Sequence, residues 1–204
     1  MSDTGALSAR VLLWVVPALW STNYLIARAA EGVIGPHVLA FGRWGLAALL
    51  LLPLTLRGLS ARRAALKREW KQLLALGVLG MWICGAWMYH GGQRTSATNM
   101  ALIYAVTPIA IAIAGARLLH EPMHARQWLG AVLALLGLLV VIAQGDLQRL
   151  LAVRFGTGDL WVVVASVSWV AYSVLLKHWR SGLGPAERLV ATCAGGLLVM
   201  LPFT

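Results

Sequence analysis

Charged residues are scarce in this chain. Asp, Glu, Lys and Arg make up only 12% of the 204 residues, whereas 60% are hydrophobic and the mean hydropathy is +0.77. A helix that crosses a bilayer needs about 20 mostly apolar residues. Seven stretches qualify: residues 11–29, 37–56, 73–89, 96–116, 126–143, 160–176 and 189–204. No linker between them is long enough for a soluble domain. We therefore predict an all-α membrane protein, a multi-pass helical bundle of about seven transmembrane helices in contact with the lipid bilayer.

Acidic side chains are absent from these apolar stretches. All of them fall in or beside predicted loops: Asp3, Glu31, Glu69, Glu121, Asp146, Asp159 and Glu187. A carrier that exchanges protons for cations needs a carboxylate inside the membrane, where the proton and the cation bind in turn. The absence of carboxylates from the apolar stretches therefore disfavours proton-coupled cation exchange through this part of the chain.

Cysteine and metal-ligand patterns are equally sparse. The two cysteines, Cys84 and Cys193, lie within apolar stretches, where no disulfide framework is expected. The segment HEPMH at residues 120–124 matches the zinc-protease pattern, but Pro122 disfavours one continuous helix and no third ligand is near. We predict no enzyme activity, metal or cofactor. Instead, Glu121 and Pro122 are expected at the start of the fifth helix, where both residue types are favourable.

The basic residues are unevenly distributed, and the net charge is +10. Six of them crowd the second loop: Arg57, Arg62, Arg63, Lys67, Arg68 and Lys71. The positive-inside rule then places the N-terminus in the cytoplasm. Nucleic acid is not an expected partner, because the aromatic residues lie within the apolar stretches rather than on a basic surface. The basic loop could also bind anionic lipid.

An internal repeat runs through the chain at a constant offset of 149 residues. Trp20, Gly35, Pro36, Pro53 and Thr55 recur as Trp169, Gly184, Pro185, Pro202 and Thr204. We interpret residues 1–149 as a first repeat of five transmembrane helices and residues 150–204 as the first two helices of a second. An odd number of helices makes the repeats inverted, and inverted repeats suit alternating access. The duplication therefore favours a transporter of small-molecule solutes.

Residues 95–142 carry the most specific motifs. The predicted fourth helix begins with small residues, contains Pro108 and is followed by Glu121. The predicted fifth helix begins with a Gln-x-x-Gly run, Gln127 to Gly130. Together with LWSTNYLIAR at 19–28 and FGRWGLAALLLLPL at 41–54, this resembles the EamA-type members of the drug/metabolite transporter superfamily over essentially the whole chain. The resemblance implies a ten-helix carrier of the bacterial inner membrane, commonly an exporter of metabolites, amino acids or drugs.

Two repeats of 149 residues need about 298 residues, so this sequence holds seven of the ten helices. We expect a C-terminally truncated carrier. The alternative is a non-transporting fragment or a half-carrier, in which a complementary chain or a second copy of this one completes the bundle.

Aromatic and polar residues share one face of the first helix. Trp20, Asn23 and Tyr24 are spaced i, i+3 and i+4, and the sixth helix repeats this spacing at Trp169, Tyr172 and Ser173. Inversion would bring the two faces together near the midplane, where they would bind a small amphipathic solute. The alternative is that these rings pack between helices or lie at the membrane interfaces.

Two further residues lie inside predicted helices. Arg43 is about six residues, or roughly 9 Å, from the outer end of its helix. It either extends to the interface or lines the solute pathway, where its guanidinium would favour an anionic or zwitterionic solute. Pro108 leaves the carbonyl of Tyr104 without its helical donor, so a kink or a helix break is expected there. Such breaks occur at transport sites, although membrane helices also tolerate proline without function.

Overall fold

The computed structural model describes residues 3–143, 146 and 154–204. This part of the chain contains seven helices and no strand: α1 Asp3–Ala29, α2 Pro36–Ala61, α3 Arg63–Gly92, α4 Ala97–Leu118, α5 Ala125–Ala143, α6 Thr157–His178 and α7 Pro185–Met200. The predicted all-α bundle is confirmed. Among the described residues, helices α2 to α6, and α7 together with the 3-10 turn Leu201–Phe203 that follows it, are long and apolar enough to cross a membrane, which makes the chain a multi-pass membrane protein. The crossing by α1 stays a prediction.

The predicted basic loop between the second and third helices is mostly helical. Helix α2 continues to Ala61 and α3 begins at Arg63, ten residues before the predicted start. The predicted bounds were those of the apolar stretch alone. The helix begins earlier, because an amphipathic segment precedes that stretch and is also helical. Five of the six basic residues therefore lie in a helix, and only Arg62 lies between α2 and α3.

Two repeat-related helices begin in the same way. Gly35 precedes α2 with φ −61° and ψ 143°, and Gly184 precedes α7 with φ −68° and ψ 164°. In both cases a proline occupies the first helical turn, where its missing N–H leaves no hydrogen bond unmade. The matching local geometry agrees with the 149-residue offset. The predicted boundary between residues 149 and 150 lies outside the described residues.

The middle of α3 is wound more loosely than an α-helix. Residues Val78–Trp87 form π-helical turns between the α-helical segments Arg63–Gly77 and Met88–Gly92. Within this segment, the carbonyl oxygen of Leu79 accepts a hydrogen bond of 2.8 Å from Ser168 Oγ of α6. π-Helical turns are often found at functional sites, and this one lies at the centre of the bundle.

Helix α3 approaches α7 closely at Gly77. A Cβ atom at this position would lie 2.6 Å from the carbonyl oxygen of Thr192 and 2.8 Å from the carbonyl carbon of Gly195. Small residues let membrane helices pack backbone against backbone. The buried core, including Leu76, Met81 and Cys193, surrounds this contact.

Helix α5 lies at the edge of the bundle and packs on α4. A Cβ atom at Gly130 or Gly137 would meet nothing within 4 Å. These glycines of α5 therefore make no close contact with the described helices.

Two predictions about α4 and α5 need correction. Helix α4 runs from Ala97 to Leu118 without a break at Pro108, so the predicted helix break is absent. One lost backbone hydrogen bond does not stop the helix. Glu121 and Pro122 also precede α5 rather than starting it, because the helix begins at Ala125. Glu121 instead forms an ion pair of 2.5 Å with Lys177 of α6.

A buried carboxylate joins the beginning of α6 to the beginning of α4. Asp159 is 3% exposed. Its Oδ1 accepts a hydrogen bond from Thr95 Oγ1 at 2.5 Å, and its Oδ2 accepts bonds from Gly156 N at 2.6 Å and from Asn99 Nδ2 at 3.3 Å. The same side chain thus caps α6 and fixes the neighbouring helix.

Candidate functional site

A cavity of about 70 Å³ lies at the centre of the bundle, against the π-helical segment of α3. Five helices contribute to its wall, which is formed by Trp20, Asn23, Tyr24, Arg43, Trp44, Gly80, Cys84, Met88, Tyr104 and Trp169. Five of the seven residues predicted to lie at the solute site are among them: Trp20, Asn23, Tyr24, Arg43 and Trp169. They come from α1, α2 and α6, so both interpreted repeats contribute to one site.

The aromatic faces of α1 and α6 meet at this cavity. The rings of Trp20 and Trp169 are 5.4 Å apart in an edge-to-face arrangement. On the neighbouring wall, the rings of Tyr24 and Tyr104 are 5.7 Å apart. Aromatic rings offer flat apolar surface together with polar edges, so this wall suits a solute that has both characters.

Arg43 lines the cavity. Its guanidinium carbon is 4.6 Å from the ring centre of Trp44 and 5.3 Å from that of Tyr89. Its Nε atom is buried and has no hydrogen-bond partner, and the same holds for Nε1 of Trp44. The two aromatic faces stabilise the positive charge without neutralising it.

Asn23 and Cys84 are held by tyrosines. The hydroxyl of Tyr89 donates a hydrogen bond of 2.6 Å to Asn23 Oδ1. The amide nitrogen of Asn23 is then the group of this side chain that can donate a hydrogen bond to a ligand. Cys84 Sγ is 3.7 Å from the hydroxyl oxygen of Tyr104. These contacts fix the side chains and leave polar donors at the cavity.

Tyr172 and Ser173 do not line the cavity as the repeated spacing predicts. Tyr172 is buried behind Trp169, with the two rings stacked at 4.9 Å, and it packs on Gly80. Ser173 donates a hydrogen bond to the carbonyl oxygen of Trp169 on its own helix. Pro108 is exposed and also lies outside the cavity wall. Asn23 and Tyr24 of α1 thus line the cavity, whereas Tyr172 and Ser173 of α6 do not, because α6 is packed against α3 and α4.

Five cavity residues were not predicted from the sequence: Trp44, Gly80, Cys84, Met88 and Tyr104. Three of them, Gly80, Cys84 and Met88, are spaced by four residues along α3. Residues with that spacing share one face of a helix, so the spacing is the sequence feature from which this cavity wall could have been predicted. The looser winding of this segment was not visible in the sequence.

No carboxylate or metal-ligand cluster is found at this site. The cavity wall contains no Asp or Glu. Across the described ranges, His, Cys, Asp and Glu residues form no group that could hold a metal ion. The aromatic rings and polar side chains of the wall are suited to binding by stacking and hydrogen bonding.

Comparison with known proteins identifies relatives of this chain. Residues 8–143 match the profile of the EamA-like transporter family. The chain is 28% identical over 185 residues to the uncharacterized transporter YyaM of Bacillus subtilis, a match that covers 89% of this chain and 61% of YyaM. It is 30% identical over 115 residues to an uncharacterized transporter of Methanothermobacter thermautotrophicus, covering 56% of this chain and 34% of that protein. The chain thus spans less than two thirds of either relative's length. No solved structure matches it.

Proposed function

Because the chain belongs to the EamA-like transporter family, we propose that it is a secondary transporter that exports small organic metabolites by alternating access. Amino acids, related solutes and drugs are the proposed substrate classes. The cavity between α1, α2 and α6 is the proposed binding site, with Trp20, Asn23, Tyr24, Arg43 and Trp169 in contact with the solute. Tyr172 supports Trp169 from behind.

The position of the cavity is the observation that carries this proposal. Trp20 of the first repeat and Trp169 of the second are related by the 149-residue offset, and their rings meet at the cavity. Solute sites of inverted-repeat carriers lie at the interface between repeats, near the membrane midplane. Alternating access requires that the two repeats move against each other around such a site.

We also propose that the N-terminus and the ends of even-numbered helices face the cytoplasm, with the chain in the bacterial inner membrane. Three contacts bring the α2–α3, α4–α5 and α6–α7 connections to the same end of the bundle: Arg62–Glu187, Lys177–Glu121 and Glu69–Ser181. Most basic residues lie at this end, as the positive-inside rule requires of the cytoplasmic side. A complementary chain or a second copy of this one is the proposed partner for any helices that this chain does not supply.

The test is the accessibility of the cavity from the two sides of the membrane. A Tyr24→Cys variant in a Cys84→Ala, Cys193→Ala background is treated with a membrane-impermeant maleimide, applied separately to intact cells and to inverted vesicles. We expect labelling from both sides, because an alternating site opens to each in turn. Ala61→Cys and Thr98→Cys, both exposed at opposite ends of the bundle, serve as controls for sidedness.

The controls should be labelled only from the inside and only from the outside, respectively. The reversed pattern would contradict the proposed orientation without affecting the site. Labelling of Tyr24→Cys from a single side, under all conditions, would contradict alternating access.

A further inference from the structure

We propose that the cavity selects solutes that carry a carboxylate and no positive charge, and that Arg43 and Trp44 recognise this carboxylate. This inference rests on the proposed function, and it narrows the substrate class of the same site. It follows from the polar side chains that line the cavity and from the acidic residues that its wall lacks.

Two residues that line the cavity carry a hydrogen-bond donor without a partner. Nε of Arg43 and Nε1 of Trp44 are both buried without a partner. A buried donor that makes no hydrogen bond is costly, and the cost is recovered when a ligand supplies the acceptor. The amide nitrogen of Asn23 adds a further donor, because its Oδ1 already accepts from Tyr89. An acceptor with more than one oxygen fits this set of donors.

The charge of Arg43 is not neutralised by the protein. The ion pairs among the described residues involve Arg28, Arg62, Arg68 and Lys177, and none includes Arg43. The cavity wall contains no acidic residue. A guanidinium in these surroundings attracts a carboxylate strongly and repels a cation, since low-dielectric surroundings screen charge weakly.

An ammonium group has no carboxylate to bind in this wall. The rings of Trp20, Tyr24 and Trp169 can accommodate the apolar body of the solute. The present volume of about 70 Å³ accommodates a carboxylate head group with a few carbons. Larger solutes require the site to open, as a carrier does during its cycle. The site is therefore matched to monocarboxylates rather than to zwitterions or amines.

Three planar molecules of nearly equal shape separate charge from size: benzoate, benzamide and benzamidine. Binding of each to the purified chain in lipid nanodiscs is measured by isothermal titration calorimetry. We expect benzoate to bind at least about 10-fold more tightly than benzamide, the magnitude of a charge-assisted hydrogen bond. Benzamidine should bind more weakly than either.

Two variants assign the preference to named atoms. Arg43→Gln should remove the advantage of benzoate over benzamide, while Arg28→Gln, the same change at an exposed arginine outside the cavity, should leave it intact. Trp44→Phe keeps a ring and deletes the indole N–H, and it should weaken benzoate binding about threefold or more. It provides a second test should Arg43→Gln fold poorly.

Equal binding of benzoate and benzamide, or tighter binding of benzamidine, would overturn the inference while leaving this cavity as a solute site. A benzoate preference that survives in Arg43→Gln would also overturn it, because the carboxylate would then be recognised elsewhere. Absence of binding by all three would count against both the inference and the use of this cavity, whereas the accessibility of Tyr24→Cys tests alternating access independently.

Discussion

Replacement of Gly77 by alanine should destabilise the bundle by about 3 kcal/mol, the upper range for inserting a methyl group into a packed interface. The added Cβ would lie 2.6 Å from the carbonyl oxygen of Thr192 and 2.8 Å from the carbonyl carbon of Gly195. Both atoms belong to the backbone of α7, so no side chain can rotate away to make room. Helices α3 and α7 would have to separate, and the contacts of the core around Leu76 and Met81 would loosen with them.

The measurement is the unfolding of the purified protein in detergent, monitored by circular dichroism during titration with a denaturing detergent. Gly115→Ala is the matched control, because it is also a glycine within a helix and its Cβ would meet nothing within 4 Å. This control should be neutral or slightly stabilising, since alanine favours helix more than glycine by up to about 1 kcal/mol. Equal stability of the two variants would show that α3 and α7 are not in backbone contact.

Replacement of Asp159 by alanine should have a comparable effect, about 3 kcal/mol, because hydrogen bonds to a charged group are among the stronger ones. The carboxylate is buried and accepts from Thr95 Oγ1, Asn99 Nδ2 and Gly156 N. Without it, Thr95 Oγ1 and Gly156 N lose this acceptor, and Asn99 Nδ2 keeps only its bond to the carbonyl oxygen of Arg154. Helix α6 also loses the acidic residue in its first turn, which stabilises the positive end of the helix dipole.

Stability is again measured by detergent-induced unfolding. Glu31→Ala removes an acid from an exposed ion pair with Arg28 and should change stability by less than about 1 kcal/mol. Asp159→Asn preserves the shape but places an amide nitrogen against the existing donors, so it should recover only part of the loss. Full stability of Asp159→Ala would contradict a structural role for this contact between α4 and α6.

The helices were predictable because their physical requirement is simple. A membrane helix must be long, apolar and internally hydrogen-bonded, and the hydropathy of the sequence expresses all three conditions. The start of α3 was predicted ten residues too late because Arg63 to Lys71 is amphipathic and helical beyond the apolar span. Helix ends outside the apolar core depend on local packing, which average hydropathy does not report.

The cavity was predictable where the repeat and the helix period agreed. Trp20, Asn23 and Tyr24 share one face of α1, and the offset of 149 residues relates Trp20 to Trp169. The same argument placed Tyr172 on the cavity, but it lies behind Trp169 because Gly80 leaves room for its ring. The position of the Tyr172 ring thus depends on Gly80, a residue of a different helix. The spacing of residues along α6 gives no information about that glycine.

The π-helical winding lies in a helix where no irregularity was predicted. Pro108 was expected to kink or break α4, yet the helix continues through it without a break, whereas Val78–Trp87 of α3 forms π-helical turns without any proline. A proline removes one donor, which a helix can tolerate. Looser winding in α3 instead accompanies close contacts at its glycines, including Gly85 against Trp44 and Gly80 against Tyr172. Such contacts are tertiary and are not encoded by local propensity.

Solute counterflow in proteoliposomes tests most directly whether the central cavity carries solute. Vesicles that contain the purified chain are loaded with unlabelled benzoate or phenylalanine, and entry of the labelled compound is followed. We predict transient accumulation of labelled benzoate, reduced at least about 10-fold by Trp20→Ala, a loss of the size expected for an aromatic anchor, and unchanged by Trp14→Ala, whose tryptophan is 82% exposed on the same helix. Counterflow of phenylalanine alone would support this cavity as the transport site but contradict its preference for solutes without a positive charge. Absence of counterflow for both probes, or an equal loss in the two tryptophan variants, would contradict the assignment of this cavity as the transport site.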